Sequence, residues 1–216
     1  MYTCILFDLD GTLSDPHEGI YRCFRLGLAR VGLEEPDDQK LRAVIGPPLF
    51  DSYTQLYGLT PERAWEAITA YRAEYAVRGY CENRLYPGIT ELLRRLYECG
   101  RTIVLATSKP EEPARDVLHH FGIAQYFHFV AAASMDAQRS HKDAVIDYAL
   151  QSLPGIPRAQ MVMVGDRHYD LFGAQRHGLD GIGVLYGYGS REELQSCPYV
   201  HLAPSPADLE RFLFDE

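Results

Sequence analysis

The period of the hydrophobic positions changes along this chain. Cys4-Ile5-Leu6-Phe7 is an unbroken apolar run of β-forming type that stops at Asp8, and it predicts a strand. From Pro16 to about Leu85 the spacing is helical. Ile20, Phe24, Leu28 and Val31 share one face, Asp15-Pro16 reads as an N-cap followed by a first-turn proline, and Gly32 suits the other end. A short helix is expected over Gln39 to Val44, and Ile45-Gly46-Pro47-Pro48-Leu49 breaks it. Phe50 to Tyr57 reads as another helical piece. Thr60-Pro61 opens a longer helix with Ala64, Ile68, Tyr71 and Tyr75 on one face.

At Tyr86 the pattern becomes an alternation. Helices are expected from Pro87-Gly88 to near Gly100, Glu111 to Phe121, Lys142 to Leu150, Tyr169 to His177, Arg191 to Gln195 and Pro206 to Phe214. Strands are expected over Thr102 to Ala106, Phe127 to Ala132, Met161 to Val164, Gly181 to Leu185 and Tyr199 to Leu202. Strands alternating with helices imply a doubly wound parallel α/β sheet. Residues 1–15 and 86–216 should form this core, and residues 16–85 an inserted all-helical cap. The insert leaves after the first strand and returns before the second. It is therefore expected at the carboxyl side of the sheet, where it can serve as a lid.

Composition narrows the class. With 216 residues the chain has room for one core plus an insert. The net charge of −9 argues against a nucleic-acid polymer as partner, though not against a small anionic substrate. Cys4, Cys23, Cys81, Cys99 and Cys197 are scattered and form no C-x-x-C pair, which favours a reducing compartment over a disulfide framework or zinc site. No signal peptide and no membrane-crossing stretch is visible, so a cytoplasmic location is expected.

The chemistry collects at the expected strand ends. In Asp8-Leu9-Asp10-Gly11-Thr12-Leu13 two carboxylates stand two apart, so both can face one crevice. They repel unless a cation or shared proton lies between them. Gly11 allows a sharp turn, and the N–H groups after Asp8 can cradle an anion. Alone, an Asp-Gly pair is an ordinary turn. Thr107-Ser108 ends the next strand, and its hydroxyls and N–H groups can donate to phosphate oxygens or simply cap a helix. Lys109 beside them is less clear than the hydroxyls and can simply be solvated. Lys142 opens a helix, the wrong end for a cation on dipole grounds unless an anion offsets it, and is preferred over Arg139. Gly165-Asp166 ends a further strand, where Asp166 can meet Asp8 and Asp10. Clustered oxygen ligands of that kind suit Mg²⁺. Asp170, four residues on, can orient the metal's waters or pair with Lys142. The eight histidines, His168 included, read as structural or surface.

These four segments, in this order, resemble the motifs of the haloacid dehalogenase superfamily of phosphohydrolases: D-x-D-G-T-[LV], a Ser or Thr, a Lys, and G-D-x-x-x-D. The insert resembles its small helical cap. Ile45-Gly46-Pro47-Pro48-Leu49, Tyr86-Pro87-Gly88 and Tyr186-Gly-Tyr-Gly-Ser190 followed by Arg191-Glu-Glu-Leu194 look like the phosphoglycolate phosphatase and 5′-nucleotidase branch. The resemblance implies Asp8 as nucleophile, Asp10 as general acid and base, and Thr107 and Lys142 as further catalytic groups. It implies phosphate contacts from Leu9, Asp10, Gly11, Thr107, Ser108 and Lys142. It implies Mg²⁺ held by Asp8, the backbone carbonyl of Asp10, and Asp166, with Asp170 behind them.

Retention of Asp10 and Asp166 argues against a dehalogenase, and the lack of membrane spans against a transport ATPase. The expected activity is Mg²⁺-dependent hydrolysis of a small phosphate ester. Phosphoglycolate phosphatase, a sugar phosphomutase and a non-catalytic phospho-ligand binder are the rivals. Tyr21, Phe24, Phe50 and Tyr53 offer stacking surface for a nucleoside, although most of them read as core packing. A 5′-mononucleotide is accordingly favoured over phosphoglycolate.

Overall fold

The computed structural model describes residues 1–136 and 138–215. Ala137 and Glu216, both within the expected 86–216 segment, lie outside the described residues. The chain divides into two compact units, Met1–Asp15 with Leu85–Glu216, and Pro16–Arg84.

The first unit is built on strands β1 (Cys4–Phe7), β4 (Thr102–Pro110), β5 (Phe129–Ala133), β6 (Met161–Gly165), β7 (Asp180–Val184) and β8 (His201–Ala203). All neighbours pair in parallel, in the order β5-β4-β1-β6-β7-β8. Two short strands, β2 (Ser14–Asp15) and β3 (Arg84–Leu85), pair separately where the chain links the two units. The doubly wound parallel architecture expected from the alternating pattern is present.

Parallel strands covered on both faces read as continuous apolar runs, and β1 and β6 are buried along their whole length. Cys4, Leu6, Val104, Ala106, Met161 and Met163 face Val145, Ile146 and Ala149 of the helix over Lys142–Gln151 and Ala174 of the helix over His168–Arg176. Register decides the rest. Phe7 lies opposite Leu105 on one side and Val164 on the other. Asp8, Thr107 and Asp166 therefore all emerge at the carboxyl edge of three adjacent strands. β1 stands at the point where the winding reverses, the usual position of a ligand crevice in open α/β sheets.

The second unit is helical. Its two long helices, α1 (His17–Arg30) and α2 (Pro61–Val77), pack on each other. The Thr60 side chain accepts from the N–H of Arg63, and Pro61 opens α2 as its sequence indicates. Phe24 and Tyr53 stack with ring centroids 4.1 Å apart, both fully buried, and the Tyr53 hydroxyl donates to the Phe24 carbonyl. These two aromatics are the unit's own core and not free stacking surface.

Two local expectations change. Asp15 does not cap α1: the helix begins at His17 with no side-chain cap. Asp15 lies instead in β2, where its carboxylate accepts from the Tyr188 hydroxyl. The strand over Thr102 continues to Pro110, with a register shift between Thr107 and Pro110.

Candidate functional site

Asp8, Asp10, Thr107, Lys142, Asp166 and Asp170 are all buried, although all but Thr107 are charged residue types. Burying charge is costly unless it is paired, so this concentration at one sheet edge needs partners. The structure supplies them in two groups.

The first group surrounds Lys142. Its Nζ lies 2.8 Å from Asp8 Oδ1 and 2.8 Å from Asp170 Oδ1, and it donates to the Ala106 carbonyl at 2.8 Å. Burial alone would push this ammonium down. The Asp170 and Asp8 carboxylates more than reverse that, so its pKa stands above the ordinary lysine value. Asp170 also accepts from the N–H of Arg167 at 3.1 Å, which closes the first turn of its helix. Burial pushes Asp170 up, and Lys142 opposes that rise. Arg139, the weaker candidate, donates to the Ala132 carbonyl instead.

The second group surrounds Asp10. Lys109 Nζ donates to its Oδ2 at 2.6 Å. Asp10 Oδ1 is buried and has no hydrogen-bond partner among the described residues. Burial raises the Asp10 pKa, while Lys109 pulls it down. Lys109 is 9% exposed, so the reading as solvated surface is corrected. It reaches inward to Asp10 from the end of β4, where the pairing with β5 is irregular.

Asp166 is 0% exposed at the end of β6. Its Oδ1 accepts from the Thr12 hydroxyl at 3.3 Å, and its Oδ2 from the backbone N–H of Tyr188 at 2.7 Å. Burial, then the Asp170 and Asp8 charges, push its pKa up to about 8. Ligand oxygens of Asp8, Asp166 and Asp170 all lie within 4.8 Å of one another. A carboxylate whose charge is disfavoured first by burial and then by its neighbours, in an all-oxygen cluster, fits a hard divalent cation. Asp170, expected behind the metal ligands, is close enough to join them but is engaged by Lys142.

Thr107 is buried, and its Oγ1 accepts from the N–H of Lys109 at 3.2 Å, so its own proton is left to donate. Ser108 is half-buried beside it. Leu9 shapes the turn: its carbonyl accepts from the N–H groups of Thr12, Leu13 and Ser14. The N–H of Gly11, expected to face an anion, donates to the Ser14 carbonyl at 2.7 Å and so closes the same turn. Gly11 has φ +87°, and a Cβ there would collide with the Asp166 carboxylate.

The sequence pattern does not mark Thr12, Lys109 or Tyr188 as partners of the acids. For Tyr188 the signal is the Tyr186-Gly-Tyr-Gly-Ser190 segment. A Cβ on Gly187 would strike both Asp166 Cβ and the Gly11 carbonyl, so this turn is glycine-rich because it lies against the site. The Tyr186 hydroxyl donates to the Thr12 carbonyl at 3.1 Å. His168 is engaged by Glu193, with its Nδ1 2.7 Å from Oε1.

A parallel sheet with acids at the end of its central strand and a lysine held between two of them defines a class, and comparison with known proteins agrees with it. The model of the haloacid dehalogenase-like hydrolase family matches residues 5–184. The chain is 44% identical over 212 residues to a 5′-nucleotidase of Pseudomonas aeruginosa, covering 98% of this chain and 96% of that one. It is also 44% identical over 185 residues to the tyrosine-protein kinase PtkA of Mycobacterium tuberculosis, covering 86% of this chain but 62% of the longer relative. The crystal structure of a predicted phosphatase from Clostridium acetobutylicum superposes with a TM-score of 0.95 at 38% identity, covering 100% of both chains. The chain belongs to the haloacid dehalogenase-like hydrolase family, among its phosphatases.

Proposed function

We propose that this phosphatase hydrolyses small phosphomonoesters, with a 5′-nucleotide as the favoured substrate, through a covalent aspartyl-phosphate on Asp8. One observation carries the reading: the two acids after β1 have different partners. Asp8 is held by Lys142, whereas Asp10 is held by Lys109 on one oxygen only. A nucleophile and an acid/base need such separate environments.

In the first step an Asp8 oxygen bonds to phosphorus as the bond to the leaving oxygen breaks. Asp10 gives its proton to that oxygen, and the alcohol departs. In the second step Asp10 takes a proton from water as the water oxygen bonds to phosphorus. The bond to Asp8 then breaks, releasing phosphate and restoring both acids. Lys142 and the Thr107 hydroxyl offset charge on the phosphoryl oxygens, and the Ser108 hydroxyl and the backbone N–H groups of Leu9 and Asp10 add to the phosphate contacts. Asp8, Asp166 and the backbone carbonyl of Asp10 would hold Mg²⁺. When bound, Mg²⁺ neutralises phosphoryl charge and screens the clustered carboxylates.

The helical unit, residues 16–84, is the remaining source of selectivity, since the core groups meet only the phosphate and the leaving oxygen. With Phe24 and Tyr53 committed to its interior, the nucleotide preference rests on the 44% identity to a 5′-nucleotidase. The five free cysteines and the lack, among the described residues, of any helix long and apolar enough to cross a membrane accord with the proposed cytoplasmic location.

Steady-state kinetics with Mg²⁺ on 5′-nucleotides, phosphoglycolate and sugar phosphates tests this. The highest kcat/KM is expected for a 5′-nucleotide. A much higher value for phosphoglycolate overturns the nucleotide preference, and conversion of a sugar 1-phosphate to a 6-phosphate makes the protein a mutase. Because one relative is named a tyrosine kinase, ATP with a tyrosine peptide belongs in the same panel. Phosphate transfer to the peptide in place of hydrolysis would contradict the proposal.

A further inference from the structure

We infer that Lys109 is a positioning residue for the acid/base Asp10, fixing one carboxylate oxygen so that the other is aimed at the oxygen that gains and loses the proton. This rests on the assignment of Asp10 as acid and base proposed above.

Three observations converge on it. Lys109 is almost fully buried, which is expensive for an ammonium and needs a compensating partner. That partner is Asp10 Oδ2, at 2.6 Å. The other oxygen, Oδ1, is buried and lacks any hydrogen-bond partner among the described residues. A carboxylate tied at one oxygen and open at the other has lost most of its rotational freedom. Its open oxygen is the only one left to exchange a proton with a leaving group or a water.

The backbone is irregular at this contact. In a regular strand Thr107 and Lys109 would point to the same side. The register with β5 slips here: Thr107 pairs with Ala132 and Pro110 with Ala133, so three steps on β4 match one on β5. The Thr107 hydroxyl accepts the Lys109 N–H inside this bulge. Bulges of this kind re-aim side chains beside active sites. One irregular segment thus presents Thr107 and, separately, a lysine for Asp10. The division of labour between the two lysines follows, with Lys142 on Asp8 and Lys109 on Asp10.

A residue that acts through the general acid should matter in proportion to how much the leaving group needs a proton. The ribose 5′-oxygen of AMP needs one, and p-nitrophenolate leaves without one. The test therefore compares kcat/KM, which reports steps through departure of the leaving group, for AMP and p-nitrophenyl phosphate in wild type, Lys109→Met and Asp10→Asn. A displaced catalytic group costs on the order of a hundredfold. Lys109→Met is expected to lose about ten- to a hundredfold on AMP but less than about threefold on p-nitrophenyl phosphate. Inhibition by inorganic phosphate should stay unchanged. In the Asp10→Asn background Lys109→Met should cost nothing further, because it acts through that residue.

Equal losses on both substrates, or weaker phosphate inhibition, would overturn the inference and make Lys109 a phosphate contact. If Asp10→Asn itself shows no dependence on the leaving group, the acid assignment fails. If Asp10→Asn shows that dependence and Lys109→Met does not, only the role of Lys109 fails. Lys109→Gln, which keeps a donor on a shorter chain, replaces the Met variant if that one does not fold. It is expected to retain part of the AMP activity.

Discussion

The backbone N–H of Tyr188 donates to Asp166 Oδ2 at 2.7 Å, so a turn after β7 holds the acid at the end of β6. Gly187, one residue earlier, has no room for a Cβ against Asp166 and the Gly11 carbonyl. Gly187→Ala should therefore shift Tyr188 and loosen Asp166. In the proposed scheme the Mg²⁺ concentration for half-maximal activity should rise about tenfold or more, the usual scale for losing an orienting partner of a metal ligand. Metal titration of activity checks this, and an unchanged Mg²⁺ requirement would detach the turn from the metal site.

Asp166 also ties stability to pH in metal-free protein. Its folded pKa, about 8, lies above the ordinary carboxylate value of 3.8, so between those values the unfolded chain binds fewer protons. Raising pH across that window then favours unfolding, by at most about 1.4 kcal/mol per pH unit. The stabilising proton is fully in place at the acid end and is lost as pH passes 8. Melting curves in EDTA should show wild type losing stability from pH 5 to 8 more steeply than Asp166→Asn. Mg²⁺ should restore the wild type at the alkaline end. Parallel pH profiles for the two proteins would show that Asp166 is not held protonated.

Lys142 neutralises two buried acids at once. Removing one partner of a buried ion pair typically costs about 3–5 kcal/mol. Lys142→Met should fall in that range by denaturant unfolding at neutral pH in EDTA, and Mg²⁺ should recover part of the loss. It should also lose most of its activity. A variant as stable as wild type would mean that the contacts of Lys142 with Asp8 and Asp170 do not hold the fold together.

The sheet and the acids were legible because both depend on short-range pattern. Cys4 to Phe7 had to be a strand, and register alone carried Asp8, Thr107 and Asp166 to a common edge. What escaped depends on tertiary placement. Nothing local separates Lys109 from a solvated lysine, and only the folded chain brings it onto Asp10. Asp15 has every local mark of an N-cap, yet Tyr188, distant in sequence, claims its carboxylate. The family resemblance implies an anion-binding N–H at Gly11. The closed turn with Ser14 uses that N–H, and the glycine is needed for close approach to Asp166.

The central claim is a covalent phosphate on Asp8. Borohydride reduces an acyl-phosphate to an alcohol and leaves a free carboxylate intact, so it records the intermediate at the residue that carried it. The enzyme turning over a good substrate with Mg²⁺ should be quenched, reduced and mapped by peptide mass spectrometry. Homoserine is expected at position 8 only when substrate and Mg²⁺ are both present, and at no other acid. Full turnover with Asp8 unreduced, or homoserine at Asp10, would contradict the account.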